Sequence, residues 1–415
     1  MLQLIIFRVI QGIGAGAVLP ITTTIIGDLF SIEQRARLQG YFSGVWGVSA
    51  VVGPALGGLI TDNLSWRWVF YINVPFGLVS MALVVALLHE RLERRRRQID
   101  YLGAAALTAA ITTLLWALLE GGKRWTWTSP ESAALFGGAA ALLTLFIWAE
   151  LRAPEPVLPL SLFRNRTITI ASIAGALSGV ALFGVSTYVP LFVQGVQGGA
   201  AITAGLVVAP ISFGWVVGST IAGRLIVRFG YRGSILTGGA CLMVGGVLLA
   251  LVTRDTRLAL LMALLVFAGL GFGFTTTSFV IAVQNAVPWS LRGVATSTIQ
   301  FFRTIGGSVG VALMGTVLAA TWRRHATEAG AGAAFDRANT LLDPARRGDL
   351  GAETANALQG ALALALHNVY LIIAAVCVLT FVTVLFFPRG SAVELAADAP
   401  VGPPQPEPRP AEARG

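Results

Sequence analysis

Residues 258–284 read LALLMALLVFAGLGFGFTTTSFVIAVQ, 27 positions without one Asp, Glu, Lys or Arg. At about 1.5 Å per residue, a helix of this length reaches about 40 Å and covers the ~30 Å hydrocarbon layer of a bilayer. A helix that is apolar on every face over such a length belongs in lipid. Runs of the same character recur near 2–24, 40–61, 68–88, 101–119, 132–150, 168–193, 203–226, 234–253, 293–320 and 367–387, giving eleven in all. They are too long and too continuously apolar for the ~10-residue alternating strands of a membrane barrel. The fold class they imply is all-α, a polytopic transmembrane helical bundle.

Composition agrees. Of 415 residues, 55% are hydrophobic and only 12% charged. That charged share is about half of what a soluble domain carries, too little to cover a water-facing surface. The mean hydropathy is +0.75. The net charge of +9 is a weak pointer to nucleic acid, because the arginines sit in short clusters between apolar runs. Such clusters suit topology signals. One set of alternate short loops holds Arg35, Arg37, Arg91, Arg94 to Arg97, Arg152, Arg164, Arg166, Arg224, Arg228, Arg232 and Arg292. The opposite short loops hold Arg67, Lys123, Arg124, Arg254 and Arg257, fourteen cations against five. The first set is expected to be cytoplasmic, with the N-terminus outside and the C-terminus inside.

The first run lacks a basic leader and already contains Arg8 and Gln11, so it reads as a span and not as a cleavable leader. Cys241 and Cys377 lie in apolar runs with no CxxC pair and read as small core residues. Residues 321–366, rich in Ala, Gly, Arg and Asp, read as a long outer loop with room for partial helix. Residues 391–415, rich in Pro, Ala and Glu, read as a disordered cytoplasmic tail.

An ionisable side chain inside a span is costly in lipid and is therefore a functional candidate. Arg8 and Arg303 meet that description, whereas Asp28, Asp62, Glu120 and Glu150 stand near span ends and suit the interface. His89, His325 and His367 are scattered. No His/Asp/Glu group has metal spacing, and neither a nucleophile elbow nor a phosphate loop is present, so neither a metal site nor a catalytic residue is expected. Polar residues within spans that could face a cavity are Gln11, Thr22 to Thr24, Gln194, Thr275, Thr276, Thr277, Gln284, Asn285 and Gln300; such groups serve as often to bond helices together. Glycines cluster in spans, as at Gly12, Gly14 and Gly16 or Gly269, Gly271 and Gly273, where they permit close helix approach.

Five stretches carry a resemblance. Arg8-Val-Ile-Gln11-Gly12-Ile-Gly14-Ala-Gly16 resembles the RxxQGxGxG motif on the fourth helix of major facilitator transporters. Gly40, Ser49 and Gly53-Pro54-Ala-Leu-Gly57-Gly58 resemble the antiporter motif on the fifth helix of drug:proton antiporters, with Ser49 where the family has glycine. Trp66-Arg67-Trp68-Val-Phe70-Tyr-Ile-Asn73-Val-Pro75 resembles the entry to the sixth helix of the fourteen-span drug exporters, and also suits an interfacial aromatic belt. Gly223, Arg224, Arg228, Gly230 and Arg232 match the cytoplasmic loop motif GxLaDRxGxR, with Val227 at its acid position, so the charge relay of that loop is incomplete. Gln300-Phe-Phe-Arg303-Thr-Ile-Gly306-Gly307-Ser308-Val-Gly310 resembles a stretch of the thirteenth helix.

The resemblance, over roughly residues 1–390, implies a major facilitator fold with about 11 spans of an expected 14, the first run here being the family's fourth helix. The domains it implies are a remainder of the N-terminal bundle (1–90), a basic loop with two inserted helices (91–164) and a C-terminal six-helix bundle (165–390). Further implications are proton-coupled efflux of amphipathic compounds across the inner membrane, protons as the coupling ion and no other cofactor. Membrane lipids and small lipophilic substrates are the expected partners, with no nucleic acid, for a monomer. Arg8, Gln11 and Arg303 are the candidates for coupling and buried charge, and Gln194, Thr276, Gln284 and Gln300 for the substrate cavity. The expected mechanism is one bundle rocking against the other, with the three helices preceding the first run needed for coupling. A non-transporting fragment, a membrane enzyme or assembly partner, an exporter of lipid or metabolite in place of drugs, a uniporter and an importer are the alternatives.

Overall fold

The computed structural model describes residues 2–30, 67–87, 100–122, 124–332 and 351–389, with scattered residues of 34–65 and residues 335 and 341. Its helices are α1 (Leu2–Leu29), α2 (Trp68–Leu87), α3 (Tyr101–Glu120), α4 (Pro130–Glu150), α5 (Arg166–Leu191), α6 (Ala201–Ala250), α7 (Leu258–Asn285), α8 (Arg292–Glu328) and α9 (Ala352–Leu385). Of these, α2 to α9 are each long and apolar enough to cross a membrane, and α1 holds a shorter apolar segment, Gln3–Val18. The protein is a multi-pass membrane protein. The run at 40–61 falls largely outside the described residues, but those described between 34 and 60 are helical.

Local signals set the helix limits. Asp100 accepts from Gly103 N to start α3, and Ser129 followed by Pro130 starts α4. Asn165 accepts from Thr167 N to start α5 and donates from Nδ2 to Ala286 O at 3.2 Å, fastening α5 to the end of α7. Pro190 is followed by a π turn at Phe192–Val196, where α5 bends and stops. α6 is two spans, α6a (201–229) and α6b (231–250), because Gly230 adopts φ 73°, ψ 177° between them.

The segment 321–366, expected as an outer loop with room for partial helix, carries helix at both ends: α8 continues to Glu328, and α9 begins at Ala352, earlier than the run at 367. Turns bearing Arg323, Arg324 and His325 or Asn356 and Gln359 are too polar for a span yet have no helix breaker, so both helices run on past the apolar stretch.

Helices α5 to α9 pack together, with the most extensive contact between α6 and α7 and the next between α5 and α8. The hairpin α3–α4 leans on α8 through Thr316, whose hydroxyl bonds Leu118 O at 3.3 Å, and through a small cluster of Ala106, Phe146 and Leu158 against Phe163 and Phe302. α1 also touches α8, while α2 buries none of its residues among those described.

The core of α5–α9 is two apolar clusters. One, including Tyr188, Phe192, Leu249, Leu261, Leu318, Trp322 and Leu362, lies toward the end where Gln197 and Arg254 turn. The other, including Ile168, Ile226, Tyr231, Phe279, Ile299, Val384 and Phe387, lies toward the arginine-bearing turns. On every helix, small or polar residues separate the two: Gly175, Ser178 and Gly179 on α5, Gly218 and Ser219 on α6a, and Gly238 and Gly239 on α6b. The same holds for Thr275 to Ser278 on α7, Arg303, Gly306 and Gly307 on α8, and Thr380 on α9.

Candidate functional site

This interposed layer is where intramembrane polarity concentrates. Buried hydroxyls pair across helices: Ser219 with Thr277 at 2.8 Å, and Ser278 donating to Ser234 at 2.7 Å. Thr275 turns its hydroxyl back to Gly271 O at 2.7 Å. These pairs satisfy groups that lipid would leave costly, and they tie α7 to both halves of α6.

Arg303 differs from them. Glycines on both sides let α8 lie against α5: a Cβ on Gly179 would collide with Arg303 O, and one on Gly306 with Ala176 O. The Arg303 side chain leaves that contact and reaches toward α6a and α7. Its Nη1 donates to Thr276 Oγ1 at 3.4 Å, and its guanidinium carbon lies 5.9 Å from the Trp215 ring centroid. Trp215 stacks in turn on Phe272, with centroids 5.8 Å apart. Arg303, Thr276 and Trp215 are all only half-buried. Among the described residues the ion pairs are Arg324–Glu328 and His325–Glu328, so no carboxylate faces Arg303. Nor is any Arg303 nitrogen both sealed from solvent and unbonded. The rest of its donor fork therefore meets accessible space.

The other sequence candidates are dispersed. Gln300 stands half-buried one turn before Arg303, and Gln194 half-buried in the π turn after α5. Gln284 is 2% exposed and donates to Thr296 Oγ1 at 3.3 Å, while Arg292 Nε donates to Gln284 O at 3.2 Å; it bonds helices and faces no open surface in this conformation. Asn285 donates to the Tyr231 hydroxyl beside it. In the loop motif, Gly223 is buried, Arg224 and Arg228 are exposed, and Val227 at the acid position is exposed too. Arg232 Nη2 donates to Leu385 O at 3.0 Å and fastens this turn to the end of α9. Arg8 donates to Gln11 Oε1 at 2.9 Å and lies 4.9 Å from the Phe70 centroid, on an exposed face of α1. Ser49 and Gly53 are helical and exposed, whereas Gly40, Pro54, Gly57 and Gly58 lie outside the described residues. Glu150, expected at the interface, ends α4 buried, and both of its carboxylate oxygens accept from Leu158 N at 3.1 and 3.2 Å. No His/Cys/Asp/Glu group among the described residues could hold a metal.

Sequence reasoning missed Trp215, Ser219 and Ser234. Each is an ordinary residue in an apolar run, and its meaning comes from a partner on another helix.

The pattern of the Major Facilitator Superfamily matches residues 1–311 of this chain. Multidrug resistance protein 3 of Bacillus subtilis (strain 168) is 36% identical over 394 residues, 92% of this chain and 77% of that protein. Multidrug transporter protein MdtP of the same organism is 37% identical over 318 residues, 77% of this chain and 59% of its own length. Multidrug resistance protein Stp of Mycobacterium tuberculosis is 30% identical over 311 residues, 75% of this chain and 58% of its own. The chain thus spans between 58% and 77% of the length of these relatives. A solved bacterial homolog of the human lysosomal transporter Spinster, inward-facing and occupied, aligns with a TM-score of 0.44 at 15% identity, covering 89% of this chain and 85% of that one.

Proposed function

The chain belongs to the major facilitator superfamily and is a transporter, not an enzyme, and from that premise we propose proton-coupled efflux of amphipathic small molecules across the inner membrane. The observation that carries this reading is the layer of hydroxyls, glycines and Arg303 inserted between two apolar cores. A bundle with no task beyond spanning lipid gains nothing from a guanidinium at that depth, where ionisable groups mark substrate or ion pathways. The names of the three relatives support drugs as the cargo. The half-buried ring of Trp215 beside the layer, stacked on the buried Phe272, suits lipophilic compounds. Protons are the coupling ion in this reading, with no other cofactor. Arg8, held by Gln11, supplies the permanent cation that a protonatable carboxylate would respond to. Residues 1–90, from the first bundle, rock against 165–390, with the inserted pair beside them, lipids around them and one copy sufficient.

The test is accumulation of ethidium by cells producing the protein from its whole natural gene. The expected result is lower steady-state dye than in control cells, with an uncoupler raising it to the control level. Accumulation that stays low in the uncoupled cells would remove proton coupling. Accumulation unchanged across a broad compound panel would remove drug efflux.

A further inference from the structure

Within α5 to α9 and their turns, the arginines whose side chains bond backbone or amide oxygens have evident structural duties. Arg232 fastens the loop motif to α9 and Arg292 closes the end of α7, while Arg254 Nη2 bonds Gln359 Oε1 at 3.0 Å where α9 begins. Arg303 has none of comparable strength. One 3.4 Å bond to a hydroxyl and a ring at 5.9 Å are weak returns for a cation halfway along a bundle. A guanidinium in lipid is permanently charged and strongly favours an anion. No carboxylate among the described residues supplies one.

The surroundings are those of a half-built anion site. Thr276 accepts from Arg303 and so keeps its own hydroxyl hydrogen to donate onward. The fork retains donors in the parallel arrangement that carboxylates and phosphates accept in pairs. Beside these donors, the half-buried Trp215 ring, backed by the buried Phe272, offers an apolar face for a hydrocarbon body. Ser219 and Thr277 bond each other behind this group and leave Thr276 as the outward hydroxyl of its run.

We propose that Arg303, Thr276 and Trp215 form a substrate subsite that holds the anionic head of an amphipathic compound, with the compound's apolar body against Trp215. This deepens the exporter reading and rests on it: the cargo includes amphipathic anions carrying a carboxylate or phosphate.

The probe pair is dansylaminoundecanoic acid and its methyl ester, matched in shape and differing in charge. Binding to the purified full chain in neutral detergent is read from dansyl fluorescence. The expected result is that the acid binds about tenfold or more tightly than the ester, the scale of a lost charge-assisted bond. Arg303→Gln removes that preference, bringing acid affinity down to about that of the ester. Arg303→Lys retains part of it, and Thr276→Val reduces it. Equal affinity of the two probes for the wild-type chain overturns the proposal. So does a preference that survives in R303Q, or an equal loss of both probes in R303Q and R303K, which marks a structural arginine. Ethidium accumulation with and without uncoupler judges export separately. An intact acid preference without lowered accumulation sinks the exporter reading alone, and lowered accumulation without acid preference sinks the subsite alone.

Discussion

Gly230 joins two spans with φ 73° and ψ 177°, a conformation essentially closed to residues with a Cβ. The chain needs it because α6a must end and α6b must start at once, so that Tyr231 enters the core while Arg232 reaches Leu385 O. Gly230→Ala is expected to cost about 1–3 kcal/mol, visible as a lower Tm in detergent. Gly360→Ala is the control, since a Cβ there meets nothing within 4 Å inside regular helix; it should leave Tm unchanged or raise it slightly. Equal Tm values for the two variants would contradict the strain at Gly230. At this scale the sequence was legible where a residue type is abnormal for its setting, as with Arg303 in a span or the glycines of the loop motif. It was silent on Trp215, because a tryptophan in an apolar run is unremarkable until α8 brings a guanidinium to its ring.

Where α6a crosses α7, two pairs of glycines four residues apart meet. A Cβ on Gly214 would press on Val266 O, on Gly218 into Leu270 O, on Gly269 into Ile211 O and on Gly273 into Trp215 O. Backbone lies on backbone, the arrangement that lets helices associate where lipid offers no hydrophobic drive. Gly271, half a turn round, instead faces Leu242 and Gly238 of α6b, so α7 is clasped on two sides. Gly218→Leu is expected to force the pair apart at a cost of about 1–3 kcal/mol or more and to lower the monodisperse fraction on gel filtration. Gly137→Leu on α4, where a Cβ meets nothing, should not. A G218L variant as monodisperse and heat-stable as wild type would refute the close crossing. The glycine clusters and span lengths were readable from periodicity and run length. Which partner each glycine faces was not, since that depends on the break at Gly230. The early start of α9 escaped for a different reason: Asn356 and Gln359 interrupt the apolar run without interrupting the helix.

Taken whole, α5 to α9 form a bundle with an apolar core toward each end and polarity between, and its two ends differ in charge. One carries Arg224, Arg228, Arg232 and Arg292, and the other gathers Gln197, Arg254 and Gln359 around a cavity of about 550 Å³. Arginine asymmetry reads the first end as cytoplasmic, because cations near span ends resist translocation. Arg228 and Arg254 are both exposed and are separated by α6b, whose 20 residues span about 30 Å, one hydrocarbon thickness. In a background with Cys241 and Cys377 replaced by alanine, Arg254→Cys should react with a membrane-impermeant maleimide on intact cells. Arg228→Cys should react only after permeabilisation. Labelling of the cysteine at 228 from outside would turn the bundle over and take the outward direction of transport with it, while leaving every helix contact in place. The packing follows from shape and polarity within the chain, but the direction follows from charge alone, so the two can fail independently, and only the labelling experiment addresses the second.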